Sequence, residues 1–371
     1  MKRILVFGIS SVRGGVESVI LNYSKELCKK GCSLDYIVID EIPDFLTAQI
    51  EKESKIFVVP YVLRNPKEYV RRLKKILLEN SYDIVWYHVN TLIDITLLQL
   101  AKQYKVPIRI VHAHNSKYMG RKILYPLHFL HKYTLKEVAT HYISCSKVAE
   151  KFMFLETDLL KKKHCVLKNA INTDLFVYDE TVRNKYRTLY GVKDVIVFGN
   201  IGRFSVQKNH IFLIDIFYEI YKKNHNVFLV LVGTGELLSK IKSKVYSLRL
   251  DKNVLFLNST NNIKNIYQML DVFLLPSLYE GLPMVGVEAQ AAGLPCYFAD
   301  TISKEAAFSN DVKFLSLDLS ASAWAEYILK DNNNFHRKNK KKIIEEAGFD
   351  IKKSVDDFIT FCEDEKIGVK K

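Results

Sequence analysis

Short, uninterrupted apolar runs recur along the chain, each followed by a longer segment with helical spacing, and this alternation constrains the fold more than any other feature. In the first half the runs are RILVFG, LDYIVI, SKIFVVP, YDIVWYH and IRIVHAH, with helical periodicity over residues 17–30, 66–80 and 91–104. A strand that is apolar at every position has both faces covered, so these runs predict parallel strands packed between helices. The pattern restarts at residues 195–203 (VIVFGNIGR) and continues through 227–233, 253–257, 271–276 and 294–299. The fold class that follows is α/β, with two doubly wound domains. The length of 371 residues agrees, since a single core stops growing at about 250–300 residues. The domains are expected at 1–172 and 180–349, with the polar, non-periodic segment LKNAINTDLFVYDE (167–180) as the crossing. Ligands of such sheets sit outside the carboxyl ends of the strands, so a cleft between the domains is expected to hold the site.

Composition narrows the setting. The six cysteines show no CxxC pair and no histidine partners at zinc-like intervals, so neither a metal site nor a disulfide framework is expected, and a reducing cytosol is the simplest environment. The start, MKRILVFGIS, has a basic end and an apolar run, but no small-residue cleavage site follows, which predicts a buried first strand rather than a leader. No apolar stretch reaches the roughly 18 residues of a spanning helix. Charge is uneven: residues 1–172 hold 28 Lys and Arg against 16 Asp and Glu, whereas the remainder holds 27 against 25. A basic half points to nucleic acid, an anionic membrane surface or a phosphorylated substrate. Nucleic acid is set aside because the basic residues are spread over strands and helices without a recognition motif.

Residues that could act chemically gather where the predicted strands end. No G-x-G-x-x-G follows a strand and no G-x-x-x-x-G-K-[ST] occurs, which removes the usual support for nicotinamide binding and P-loop chemistry. Gly14 and Gly15 nevertheless open the first helix, at a turn where backbone N–H groups can approach a phosphate. In GRFSVQKNH, Gly202 and Arg203 end a strand and Lys208 precedes a helix. Such a loop can close both cations on one anion, arginine as a planar fork and lysine as a point charge. Charge-assisted bonds contribute about 1.5–3 kcal/mol each, against ~0.3–1 kcal/mol for a helix end, so the cations are expected to dominate diphosphate affinity. LYEGLPMVGVEAQAAGLP places Glu280 and Glu288 after the strand DVFLLP, with Pro283 suited to a first helical position. The N–H groups of 281–285 suit a phosphate, and a carboxylate beside a phosphate is repulsive unless it accepts from hydroxyls. One acid taking a ribose and the other a sugar, with a diphosphate between them, resolves the conflict. RIVHAHNS puts His112, His114 and Asn115 at another strand end, where an imidazole can bond a sugar hydroxyl or stabilise developing charge.

In this order and at these separations, RGGVE, HAHNS, GNIGRFSVQKNH, LVGTGEL and LYEGLPMVGVEAQAAGLP resemble the retaining nucleotide-sugar glycosyltransferases of family 4. These have the GT-B fold, two Rossmann-like domains facing across a cleft. FADTISKEAAF is similar to the branch found in bacterial exopolysaccharide and capsule clusters. The resemblance implies that Arg203 and Lys208 grip the donor diphosphate and that Glu288 takes the ribose hydroxyls. Glu280 would contact the donor sugar together with backbone at Gly281, Leu282, Pro283, Met284 and Val285, while Gly15 and Gly202 belong to the donor-binding loops. His114, with His112 as second choice, would contact the transferred sugar. No cofactor and no metal are implied, since the nucleotide-sugar, a UDP-sugar by family habit, is a substrate. Retention would proceed by same-face attack with the departing phosphate as base. The C-terminal helix, about 350–371, is implied to pack back on the first domain. That basic domain would receive the acceptor, a lipid-diphosphate-linked saccharide of a growing cell-surface polysaccharide. The stretches 115–137 and 66–80 mix basic and apolar residues, which suggests peripheral association with the inner face of the cytoplasmic membrane. Each Lys or Arg near an anionic leaflet is worth about 1 kcal/mol. The alternatives are a nonhydrolysing sugar-nucleotide epimerase and a non-catalytic partner subunit of the same fold. Intact Arg203, Lys208, Glu280 and Glu288 speak against the second.

Overall fold

The computed structural model describes residues 2–11, 14–115, 118, 121–258, 262–280, 282–330, 337 and 339–363. Residues up to Ala170, together with those from Asp350 onward, form one compact unit, and Ile171–Phe349 form a second. In unit 1 seven parallel strands are β1 (Arg3–Ile9), β2 (Ser33–Ile39), β3 (Ile56–Val59), β4 (Ile84–Val89), β5 (Ile108–Ala113), β6 (His141–Ser144) and β7 (Lys163–Val166). Their order is β3-β2-β1-β4-β5-β6-β7. Unit 2 has β8 (Ile196–Ile201), β9 (Val227–Val232), β10 (Val254–Leu257), β11 (Val272–Leu275), β12 (Cys296–Ala299) and β13 (Val312–Leu315), ordered β10-β9-β8-β11-β12-β13. Both are parallel-sheet, Rossmann-like α/β domains. Each sheet reverses its winding beside its own first strand, between β1 and β4 and between β8 and β11. Ligands bind at such reversals, outside the carboxyl ends of the strands.

The apolar runs form strands as expected, with SKIFVVP and NVLFL at the sheet edges and the others inside, and β4 is buried at every position. Sequence reading missed β6, β7 and β13, whose four-residue segments HYIS, KHCV and VKFL carry polar side chains and are too short to show a period. The helix expected over 66–80 forms at Pro66–Glu79, started by Asn65, whose side chain accepts the Glu68 N–H at 3.2 Å. The helix expected over 91–104 is corrected to Thr96–Gln103. Asp94 holds the preceding residues in a turn, accepting from the Thr96 N–H at 2.9 Å and from the Tyr69 hydroxyl at 2.6 Å.

Two further features fix the frame of each unit. The helix Ile351–Glu363 buries Ile351, Val355, Phe358 and Phe361 within unit 1, with Phe358 4.5 Å from the Trp86 ring. Burying such a side chain stabilises by about 1.5–3 kcal/mol, whereas the flanking Lys30–Asp356 pair at 2.7 Å is exposed and contributes little. In unit 2 Asp271, at the start of β11, accepts from Arg183 at 2.5 Å, Arg187 at 2.9 Å and the Val197 N–H at 2.8 Å. One carboxylate thus ties the helix Glu180–Leu189 to two neighbouring strands.

Candidate active site

The winding reversal of unit 2 is built on close backbone contacts. At Gly233, with φ +152°, an added Cβ would lie 2.0 Å from the Gly202 carbonyl, and at Gly235 it would lie 2.4 Å from the Phe204 carbonyl. Only glycine fits either place. The loop after β8 is laced to the loop after β9 by Phe204 N–H to the Thr234 carbonyl at 2.9 Å and Leu237 N–H to the Phe204 carbonyl at 3.0 Å. It then makes one 3-10 turn, Val206–Lys208, and enters the helix His210–Lys223 through Asn209 in the left-handed region. The Lys208 stem lies across Gly202, where a Cβ would come within 3.0 Å of Lys208 Cε. On its other side the loop is bolted to the β11 loop: the Leu278 N–H donates to the Gln207 carbonyl at 2.8 Å, and Gln207 Nε2 donates to the Tyr279 carbonyl at 3.0 Å.

These ties bring Lys208 Nζ to 2.7 Å from Glu280 Oε1, in a pair whose side chains are only 14% and 10% exposed. The expected grouping is therefore present for Lys208 and Glu280, but the lysine faces a carboxylate rather than standing open. Arg203, on the same loop, is 60% exposed and lies 3.2 Å from Glu236, so it is not gathered with Lys208 in this arrangement. The helix Met284–Ala291 follows Pro283, with Leu282 and Met284 buried and Val285 and Glu288 half-buried. Gly281 lies outside the described residues. Glu288 accepts from the Tyr267 hydroxyl at 2.9 Å. Burial, and then the Glu288 charge, push the Tyr267 pKa well above its ordinary value, so this hydroxyl stays a donor.

In unit 1 the turn after β1 is organised by a residue that sequence reasoning did not single out. Glu17 is buried, and its carboxylate accepts from the Ser10 N–H at 3.1 Å, the Ser10 hydroxyl at 2.7 Å and the Gly14 N–H at 2.9 Å. At Gly15, which opens the helix Gly15–Lys29, an added Cβ would meet none of the described residues within 4 Å. His112 on β5 is wholly buried and His114 just beyond it is 8% exposed. A third imidazole joins them from β4: His88 Nδ1 lies 2.9 Å from His114 Nε2, with one of the two donating. Burial pushes the His114 pKa down to about 3 and those of His88 and His112 well below the usual range, so all three are neutral. His88 escaped the sequence reading, although YHVN stands at a strand end just as HAHNS does. Intervals along the chain showed no such grouping, but the fold brings one nitrogen of each of these three rings within 4.8 Å of the others.

Two family models match the chain: Glycosyltransferase Family 4 over residues 13–175 and Glycosyl transferases group 1 over residues 183–360. EpsF of Bacillus subtilis (strain 168) is 29% identical over 95% of this chain and 94% of its own length. An Escherichia coli UDP-Gal:alpha-D-GlcNAc-diphosphoundecaprenol alpha-1,3-galactosyltransferase is 27% identical over 92% of each chain. Among solved structures, Anabaena Alr3699/HepE in complex with UDP and glucose superposes with a TM-score of 0.77 at 16% identity, covering 97% of this chain and 98% of that one. The two models between them account for both units, and the chain is a glycosyltransferase of the GT-B fold, with a family 4 N-terminal domain and a group 1 C-terminal domain.

Proposed function

We propose that this glycosyltransferase acts in bacterial polysaccharide biosynthesis, moving a sugar with retained anomeric configuration from a UDP-sugar to a lipid-diphosphate-linked saccharide. The observation that carries the reading is the Lys208–Glu280 pair at the winding reversal of unit 2. An arriving diphosphate offers Lys208 a more highly charged partner than Glu280. The exchange leaves Glu280 to accept from a hydroxyl of the donor sugar. Arg203, paired among the described residues with the exposed Glu236, adds the planar fork, and the opening turn of the helix Met284–Ala291 adds the backbone N–H groups of Met284 and Val285. Glu288, anchored by Tyr267, takes the ribose hydroxyls. Gly15 leaves room for backbone to meet phosphate, and His114 contacts the transferred sugar.

In the reaction the bond between the anomeric carbon and the phosphate oxygen breaks, and the acceptor hydroxyl forms the new bond on the same face. The departing phosphate oxygen takes the hydroxyl proton. Charge grows on the leaving group in the transition state, so Lys208 and Arg203 act most strongly there. Neutralisation by these side chains and the helix end leaves no step that needs a metal or cofactor. The donor and acceptor classes are supported by the UDP and UDP-glucose complexes of Alr3699/HepE and by the diphosphoundecaprenol acceptor in the name of the Escherichia coli relative. Thermal unfolding against a panel of UDP-, GDP- and ADP-sugars tests the donor. A true donor at 100 times its Kd raises stability by about 2.7 kcal/mol. Stabilisation by none of them refutes the reading.

The same proposal lays unit 1 on an anionic leaflet at the inner face of the cytoplasmic membrane. Among the described residues no helix is long and apolar enough to cross a membrane. The turn Lys122–Leu124 and the helix Tyr125–Val138 leave Ile123 83%, Leu130 58% and Tyr133 60% exposed, beside exposed Arg121, Lys122 and Lys136. Residues 116, 117, 119 and 120 of the stretch read as membrane-facing lie outside the described residues. Basic and apolar side chains on one exposed face fit anionic headgroups. Co-sedimentation with anionic vesicles at low salt, weakened at high salt, is the expected result, and no binding at low salt removes this part.

A further inference from the structure

We propose that His88, His112 and His114 form a binding site for one divalent transition-metal ion of the zinc type. The three stand at the carboxyl ends of neighbouring parallel strands. His88 is in register with His112, and His114 follows two residues later, so all three project from one face of the sheet. Their ring centroids are 4.3, 4.9 and 5.1 Å apart, and one nitrogen of each ring lies within 4.8 Å of the others. Among the described residues, four ring nitrogens, His88 Nε2, His114 Nδ1 and both of His112, are buried without a partner, and the other two pair with each other. Buried polar atoms are normally satisfied. Each neutral ring has a single lone pair, and one cation can take all three if the His88–His114 hydrogen bond gives way to it.

The fit is close. For three atoms no more than 4.8 Å apart there is always a point within about 2.8 Å of all of them, and zinc–imidazole bonds run ~2.0–2.1 Å, so each ring closes by about 0.7 Å or less. Three imidazoles with an open fourth position are a recurrent zinc ligand set, and nitrogen donors favour zinc, copper, nickel or iron over magnesium and calcium. Trp86, 5.9 Å from His112 and 4.5 Å from His88, walls one side with apolar surface. An ion held there withdraws His114 from any sugar. On the reading that His114 contacts the donor sugar, the metal is therefore an inhibitor of transfer.

Untagged protein stripped by a chelator and titrated with Co(II) tests the site. We expect one equivalent bound, with visible d–d absorption, displaced by Zn(II), and no thiolate charge-transfer band. His88→Gln and His112→Gln should each weaken binding by more than about tenfold, since even outer-shell partners of metal sites cost that much. Absent d–d absorption, a thiolate band placing the ion on cysteine, or variants that bind as tightly as the native protein would overturn the site. If the variants do not fold, the imidazole 15N resonances of the native protein decide: Zn(II) must move those of these three histidines, and unmoved resonances overturn it. Inhibition of sugar transfer by Zn(II), reversed by chelator, is the activity readout. Binding without inhibition overturns the role of His114 and leaves the metal site standing.

Discussion

The two units share one winding and fill the same place in it with opposite chemistry. At the reversal in unit 2 stand paired charges, Lys208 with Glu280, and a carboxylate anchored by a buried phenol, Glu288 with Tyr267. At the reversal in unit 1 stand neutral imidazoles packed against Trp86, with the buried Glu17 spent on holding its own turn. Strand order therefore decides where a site stands, and side chains decide what it can hold. Charged groups suit a diphosphate, whose arrival they can follow by exchanging partners. Uncharged, enclosed rings suit a substrate hydroxyl or a metal ion.

Four experiments break or sharpen this contrast. The largest effect should come from Asp271→Ala, which strands Arg183 and Arg187 in a largely buried place. Losing one partner of such a cluster costs about 3–5 kcal/mol. Denaturant unfolding followed by hydrogen exchange should show unit 2 destabilised and β1 to β7 protected as before; equal loss in both would contradict a role for Asp271 confined to unit 2. Next, Lys208→Ala should lower turnover by about 10²–10³-fold, the usual effect of removing one transition-state donor, at unchanged circular dichroism. Wild-type turnover in that variant sinks the leaving-group role.

A glycine pair compares the two turns directly. Gly233→Ala meets the Gly202 carbonyl and an unfavourable φ, and should cost at least about 1–3 kcal/mol. Gly15→Ala meets open space, so stability should stay within about 0.5 kcal/mol while UDP-sugar affinity falls. Calorimetry that finds Gly15→Ala binding like wild type would take the first turn out of the donor site.

The smallest effect concerns pH. Burial first, then Lys132 and His131, lowers the His128 pKa to about 4, and burial with Lys163, Arg109 and Lys2 does the same at His141; in unit 2 burial and Lys208 take His210 to about 3. The unfolded chain protonates these rings near the ordinary value of ~6.5, whereas the folded chain does so only far lower. Stability is thus complete above that value and declines as pH falls through the interval toward about 4. Thermal midpoints should fall between neutral pH and pH ~5, and a rise on acidification would contradict these burials.

Much of this was legible in the sequence because it is local or periodic. Apolar runs such as VFLVLV announced the central strands, and Arg203, Lys208, Glu280 and Glu288 stand on the loops and the first helix that follow strands, where topology puts ligands. What stayed hidden depends on register and on partners far along the chain. His88 joins His112 only because β4 and β5 pair as they do. Tyr267 sits in a helix of its own and meets Glu288 through the folding of unit 2, and no spacing rule foretells that Lys208 faces Glu280. Glu17 was visible but ambiguous, since an acid in a first helical turn ordinarily needs no further role.

The helix Ile351–Glu363 has a consequence for synthesis. Its Phe358 covers Trp86 and its Phe361 rests 5.2 Å from His141, so unit 1 is completed by residues translated after all of unit 2. At ribosomal rates of about 5–20 residues per second, the nascent first sheet waits roughly 10–40 s with those aromatic surfaces bare. A delay between making the first sheet and covering it with Phe358 and Phe361 is thus built into the order of the chain.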